Sequence, residues 1–239
     1  MKLKRIAIAF CFSILFIGLI ANNSVSVEYN DKSSIAKLDS KTVLVTGFES
    51  WLDIYNPNPS QLIAENLSGK EIDGATIISI ILPVIWGEAV DVLTKAITDY
   101  GPDIVISLGA GKISSIHVEK IGLNLKSCIY PDNEGKRFLF RRIDRRGPCI
   151  KFSHLPVKDI VEEINEAEIP AEQSYSAGKF ICNEVMYGVL NFVAKNDLST
   201  KVGFIHVPLL PAQDPEKGME LETMIDAIEI AITVCLEEF

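Results

Sequence analysis

Thr42-Val43-Leu44-Val45-Thr46-Gly47 is a short β-branched run that ends in glycine. A run of that kind, without a polar alternation, reads as a strand buried on both faces. Pro59-Ser60-Gln61 then opens a helix to about Leu67, and Ser68-Gly69 stops it. The alternation continues outward from there. Ala75 to Val84 is a second strand, rich in isoleucine. Gly87 to Tyr100 carries apolar residues at Ala89, Val90, Leu93, Ala96 and Ile97, which is helical spacing, and Gly101-Pro102 ends it. Asp103 to Gly109 is a third buried strand and Glu119 to Asn124 a further candidate. Pro131 to Pro148 is polar, basic and turn-rich, so it reads as loop or hairpin. Val157 to Ala167 is a helix, Ser176 to Lys195 contains another, Lys201 to Pro208 is the last strand, and Glu216 to Glu237 is a closing helix.

Strands alternating with helices, each strand nearly all apolar, predict an α/β fold with a largely parallel twisted sheet covered on both faces. Sites in such sheets gather at the carboxyl ends of strands. The loops after Gly47, Val84, Gly109 and Val207 are therefore the places to look.

The chain has 239 residues, 48% of them hydrophobic and 23% charged, with a net charge of −9. That composition excludes disordered, collagen-like and coiled-coil chains. An acidic balance argues against nucleic acid as partner, because phosphate binding needs clustered Lys and Arg. Five cysteines are too few for a disulfide scaffold.

The N-terminus stands apart. Met1-Lys2-Leu3-Lys4-Arg5 is basic, and Ile6 to Ala21 is apolar apart from Ser13 and Gly18. That run falls short of the ~18–20 residues of a usual membrane span. It reads as a secretory signal over residues 1–26, with cleavage after Ser26, or as an uncleaved membrane anchor through residues 6–21. Either reading places the protein outside the cytoplasm. Val27 to Lys41 is polar and non-periodic and reads as a linker. The folded domain is expected over residues 42–239.

Three residues stand out for chemistry. Cys182 lies in Ser176-Ala177-Gly178-Lys179-Phe180-Ile181-Cys182-Asn183-Glu184, just where helical spacing begins at Val185, Met186, Val189, Leu190 and Val193. A helix N-terminus favours a thiolate, although a free cysteine is also commonly an inert core residue. His206 ends the strand Gly203-Phe204-Ile205-His206-Val207-Pro208, at the carboxyl end where a base belongs. His117 and His154 lie in polar surroundings and read as solvated. Glu119 follows the third strand's loop, where a carboxylate could orient the imidazole. Three dispersed histidines and no C-x-x-C motif argue against a structural zinc site, and no phosphate loop or dinucleotide fingerprint is present.

Taken in order, several segments resemble the pyroglutamyl peptidase I (pyrrolidone-carboxylate peptidase) family. They are Val45-Thr46-Gly47-Phe48-Glu49 with Asn56-Pro57-Asn58-Pro59-Ser60, then Leu82-Pro83-Val84, then Glu119-Lys120-Ile121-Gly122-Leu123-Asn124 with Pro131-Asp132-Asn133-Glu134-Gly135. The Cys182 segment and Phe204-Ile205-His206-Val207-Pro208 complete the set. The resemblance implies a single three-layer α/β/α domain, no metal or other cofactor, and often a homotetramer. It implies a cysteine exopeptidase that removes an N-terminal pyroglutamyl residue from peptides, with Cys182 as nucleophile, His206 as general base and Glu119 as orienting carboxylate. Phe48, Trp51, Phe180 and Ile181 would line the substrate pocket.

The sequence departs from the family in four places. Ser50-Trp51-Leu52-Asp53 stands where Pro-Phe-Gly-Gly is usual, so a glycine turn is lost. Ile129 stands where an arginine is thought to support the oxyanion. Gly109 aligns with a position that is Gln in some members. The N-terminal segment is unusual for a mostly cytosolic family, and outside the cytosol the spacing of Cys128 and Cys149 permits a disulfide. These departures leave two alternatives to set beside the peptidase: a related cysteine hydrolase with a changed substrate, and a non-catalytic binding module on the same fold.

Overall fold

The computed structural model describes residues 40–53 and 55–239. The proposed signal or anchor, and the linker up to residue 39, lie outside the described residues. β1 (Thr42–Phe48), β2 (Glu71–Ile72), β3 (Ala75–Leu82), β4 (Ile104–Gly111), β5 (Ile116–Glu119), β10 (Ala171–Ser174) and β11 (Lys201–Pro208) form one sheet in the order β10-β5-β11-β4-β1-β3-β2. β1 runs parallel to β3 and β4, β4 to β11, and β5 to β10. The β5–β11 and β2–β3 pairs are antiparallel.

Side chains alternate across this sheet, and each set has its own helical cover. Val43, Val45, Ile104, Ile106, Ile205 and Val207 face one core with α1 (Pro59–Leu67), α3 (Val157–Glu166) and α5 (Leu221–Glu238). Leu44, Phe48, Val105, Val202 and Phe204 face the other, with α2 (Glu88–Tyr100) and α4 (Ile181–Lys195). The result is the expected three-layer α/β/α arrangement. Central strands buried on both faces are why their sequences lack alternation.

Two readings of the sequence need correction. The run Glu119 to Asn124 is not one strand. β5 ends at Glu119 within the main sheet, and β6 (Ile121–Leu123) leaves it to pair with β9 (Ile150–Phe152). The break has a packing cause. Gly122 lies against the backbone of α4, where an added Cβ would stand 3.0 Å from the Tyr187 nitrogen, so the chain must turn off the sheet to reach the helix. The second is β10, which has no apolar run to announce it. Its Ala-Glu-Gln-Ser sequence suits an edge strand with one exposed side. Within the stretch Pro131 to Pro148, expected as loop or hairpin, only β8 (Phe138–Arg141) is a strand, and its antiparallel partner β7 (Lys126–Cys128) lies before that stretch.

Loops at the carboxyl ends of β1 and β3 are tied to the turn that begins at Pro131. Glu49 Oε1 accepts from the Val84 nitrogen at 3.0 Å and from Asn133 Nδ2 at 2.7 Å. Asp132 accepts from the backbone N–H groups of Trp86, Glu134 and Lys136. Asn58 caps α1 by accepting from the Ser60 nitrogen at 3.1 Å, and its Nδ2 donates to the Glu49 carbonyl. Gly47 permits this closeness, because a Cβ there would stand 2.2 Å from the Ser60 oxygen. The lost glycine turn also has its structural counterpart. Leu52 takes φ 54°, the left-handed region, in place of a glycine, at a cost on the order of 1–2 kcal/mol.

Candidate active site

Cys182 is the second residue of α4. The first intrahelical bond at this end runs from the Glu184 nitrogen to the Phe180 oxygen at 3.1 Å. The N–H groups of Ile181, Cys182 and Asn183 therefore have no acceptor in the helix, and they carry its positive dipole end. This terminus is pinned from two sides. Asn183, fully buried, accepts from the Leu123 nitrogen at 2.8 Å and donates to the Leu123 and Leu125 carbonyls. Glu184 accepts from Lys126 Nζ at 2.6 Å and from the Gly87 nitrogen at 2.8 Å. Lys126 in turn lies 4.2 Å from the Phe138 ring centroid. A sulfur on a terminus so held has little freedom to wander.

His206 lies on β11, opposite Gly109 of β4 on one side and His117 of β5 on the other. Glu119 pairs with Phe204 in register, so its side chain emerges on the same face, diagonal to His206. The His206 Nδ1–H donates to Glu119 Oε1 at 2.8 Å. A carboxylate can only accept, so this contact fixes the tautomer and leaves Nε2 for the other side. The ring and the Cys182 sulfur line the same cavity. Burial opposes charge on this imidazole, but the hydrogen bonds and negative charges of Cys182 and Glu119 outweigh it and push His206 up to about 10. The ring carries its proton at neutral pH.

Gly109 makes room for the pair. A Cβ at that position would meet Cys182 Sγ at 3.0 Å and the Phe204 ring at 2.9 Å. Glu119 is only 1% exposed, and its Oε2 has no hydrogen-bond partner among the described residues. The protonated imidazole is thus its one close compensation on Oε1.

Cys182 and His206 open onto one cavity of about 210 Å³. The four residues expected to bind substrate, Phe48, Trp51, Phe180 and Ile181, all line it. Trp51 stacks on Phe180 with centroids 4.6 Å apart, and its Nε1 donates to the Pro131 carbonyl at 2.9 Å. Val84 and Ala110 contribute from the ends of two more strands, so the cavity sits at the carboxyl edge of the sheet. The walls are chiefly aromatic and aliphatic, which suits a small neutral group. Ile129 is 69% exposed and is not a lining residue.

Other expectations resolve differently. His117 is not simply solvated: it pairs with Glu172 at 2.6 Å and its side chain is 20% exposed. His154 is exposed, as expected. Cys128 and Cys149 are free thiols, and Cys128 lines the cavity. Cys235 is the inert type, buried in α5, where burial pushes its thiol up to about 12. Tyr55 escaped the sequence reading altogether. It sits in a loop without periodicity, and only the pairing of Trp51 with Tyr55 turns it into the cavity.

The sequence model described as pyroglutamyl peptidase matches residues 41–238. The pyrrolidone-carboxylate peptidase of Thermoanaerobacter sp. (strain X514) is 42% identical over 197 residues, covering 80% of this chain and 96% of that protein. Pyrrolidone-carboxylate peptidase 1 of Caldanaerobacter subterraneus subsp. tengcongensis is 40% identical over 200 residues, 82% of this chain and 98% of that protein. Among solved structures, pyrrolidone carboxyl peptidase from Pyrococcus furiosus superposes with a TM-score of 0.79 at 38% identity, covering 82% of this chain and 99% of that one. Pyroglutamyl peptidase I from Bacillus amyloliquefaciens gives 0.78 at 34% identity, covering 82% and 95%.

Proposed function

The chain belongs to the pyroglutamyl peptidase family, and on that premise we propose that it is a cysteine-type omega peptidase releasing N-terminal pyroglutamyl residues from peptides. The observation that carries the residue roles is the Glu119–His206 contact beside Cys182 at the mouth of an apolar cavity. The lactam ring enters among Phe48, Trp51, Phe180 and Ile181, where no charge has to be desolvated. A pyroglutamyl group has no residue before it, so an apolar pocket sized for one small ring selects the chain terminus.

The Cys182 thiolate attacks the pyroglutamyl carbonyl. A carbon–sulfur bond forms while the carbonyl electron pair moves onto oxygen, facing the free N–H groups at the start of α4. The pair returns, the carbon–nitrogen bond breaks, and the His206 imidazolium gives its Nε2 proton to the departing amine. The neutral ring then takes a proton from water, and the hydroxide attacks the thioester. Collapse expels the thiolate and frees pyroglutamate. Glu119 keeps the ring oriented and its charge stabilised throughout.

The test is hydrolysis of a pyroglutamyl aminocoumarin reporter under reducing conditions. Turnover lost on alkylation and in Cys182→Ala is the expected result. Absence of turnover by folded protein from pH 6 to 9 would refute it. We propose further that residues 42–239 are the catalytic domain and that the basic, apolar N-terminal segment delivers it outside the cytoplasm. Among the described residues no helix is long and apolar enough to cross a membrane. Cell fractionation of the full chain against one lacking residues 1–26 decides this. Sedimentation of the purified protein tests the homotetramer.

A further inference from the structure

Most polar side chains around the cavity are already committed. Asn58 spends its amide on the Glu49 carbonyl and its oxygen on Ser60. Lys179 also lines the cavity, but it is exposed to solvent. Cys128 offers only a weak S–H donor. Tyr55 is different. Its side chain lines the cavity with Cys182 and His206, and its phenolic oxygen has no hydrogen-bond partner among the described residues. The residue is held in place. Its N–H donates to the Leu52 carbonyl at 3.2 Å, and its ring packs on Trp51 with centroids 5.6 Å apart. Burial first, then the negative charge of Cys182, hold its phenol above the ordinary value. It is therefore an O–H donor across the working pH range.

An acyl carbonyl attacked by sulfur develops a full negative charge on oxygen, and the backbone N–H groups of α4 approach it from the helix side only. The remaining wall offers aromatic carbon, and position 129 turns an isoleucine to solvent. We infer that Tyr55 is a catalytic residue whose phenolic O–H donates to the oxyanion of the tetrahedral intermediate, opposite the α4 terminus. The inference rests on the reading of Cys182 as nucleophile. As the carbon–sulfur bond forms, the carbonyl pair moves onto oxygen and the Tyr55 hydrogen bond shortens onto it. As the pair returns and the carbon–nitrogen bond breaks, the bond relaxes. Tyr55 keeps its proton throughout, and His206 supplies the one that leaves with the amine.

The test is Tyr55→Phe, which keeps the ring stacked on Trp51 and removes only the donor. Expected is a kcat lower by about 10²-fold, the usual effect of losing one oxyanion donor, with KM within about twofold, the mark of an interaction made only in the transition state. The iodoacetamide alkylation rate of Cys182 and its pH profile stay at the wild-type values. A pyroglutamyl aldehyde, whose hemithioacetal carries the same tetrahedral oxygen, loses affinity by a like factor, while 2-pyrrolidone binding is unchanged. Unaltered kcat, or a raised KM with kcat unaltered, overturns the proposal, as does a parallel fall in alkylation rate, which would mean that Tyr55 acts through the sulfur. A wild-type enzyme without turnover refutes the underlying nucleophile reading instead.

Discussion

Replacing Glu119 by Gln removes a charge while leaving the shape of the site intact. The carboxylate is 1% exposed, and Oε1 takes the His206 Nδ1–H at 2.8 Å. A glutamine oxygen can still accept that hydrogen, so the ring keeps its orientation and loses only the ionic part of the contact. A hydrogen bond to a charged group contributes ~1.5–3 kcal/mol against ~0.5–1.5 for a neutral one. The difference, roughly 1–1.5 kcal/mol, is about one pH unit on the imidazole. Coulomb attraction sets the ceiling, at about 4 kcal/mol for unit charges 4 Å apart at an effective dielectric of 20, or about three units. The sign is unambiguous. Burial disfavours the imidazolium, whereas Cys182 and Glu119 favour it and raise His206 to about 10. Removing one of the two anions lowers that value.

Wild-type kcat/KM should therefore hold up to high pH and fall only as His206 loses its proton near pH 10. In Glu119→Gln the alkaline limb should move down by ~1–3 units. Turnover at neutral pH should drop about 5- to 10-fold, in line with the lost ~1–1.5 kcal/mol. Reporter hydrolysis from pH 6 to 10.5, with Cys182 alkylation over the same range, measures both. Profiles that superimpose on the wild type, or a limb displaced to higher pH, would show that Glu119 does not govern the imidazole.

Two further substitutions probe the supports of the site. Gly109→Ala places a methyl group 3.0 Å from Cys182 Sγ and 2.9 Å from the fully buried Phe204 ring. Overpacking of this kind costs ~1–3 kcal/mol, so thermal unfolding should show a lower midpoint and Cys182 should alkylate at least ~10-fold more slowly, as expected when a reacting atom is displaced; a variant with wild-type melting and alkylation would contradict the packing described. Lys126→Met leaves the Glu184 carboxylate, 3% exposed, with only the Gly87 N–H. Breaking a buried pair costs ~3–5 kcal/mol, whereas replacing both partners by apolar groups restores most of it, so urea midpoints should fall for the single variant and recover in Lys126→Met/Glu184→Met; equal midpoints for both would refute the ion-pair account.

The sequence by itself determined the layer order. Runs such as Ile104-Val105-Ile106-Ser107-Leu108 have no polar face, which leaves two-sided burial as the stable solution, and the Pro59–Leu67 helix is bounded by its own cap and stop signals. Cys182 at a helix start and His206 at a strand end were legible for the same local reason. By position alone Glu119 was one acid among 32 Asp and Glu, and only the family resemblance singled it out. Only antiparallel pairing of β5 with β11 sets it diagonal to His206, and nothing in a linear pattern encodes that partner choice. Tyr55 and the Lys126–Glu184 pair were hidden for a related reason. Their significance comes from which remote surface each one meets, and that is decided when the loops after β1 and β3 close against the turn at Pro131 and the start of α4.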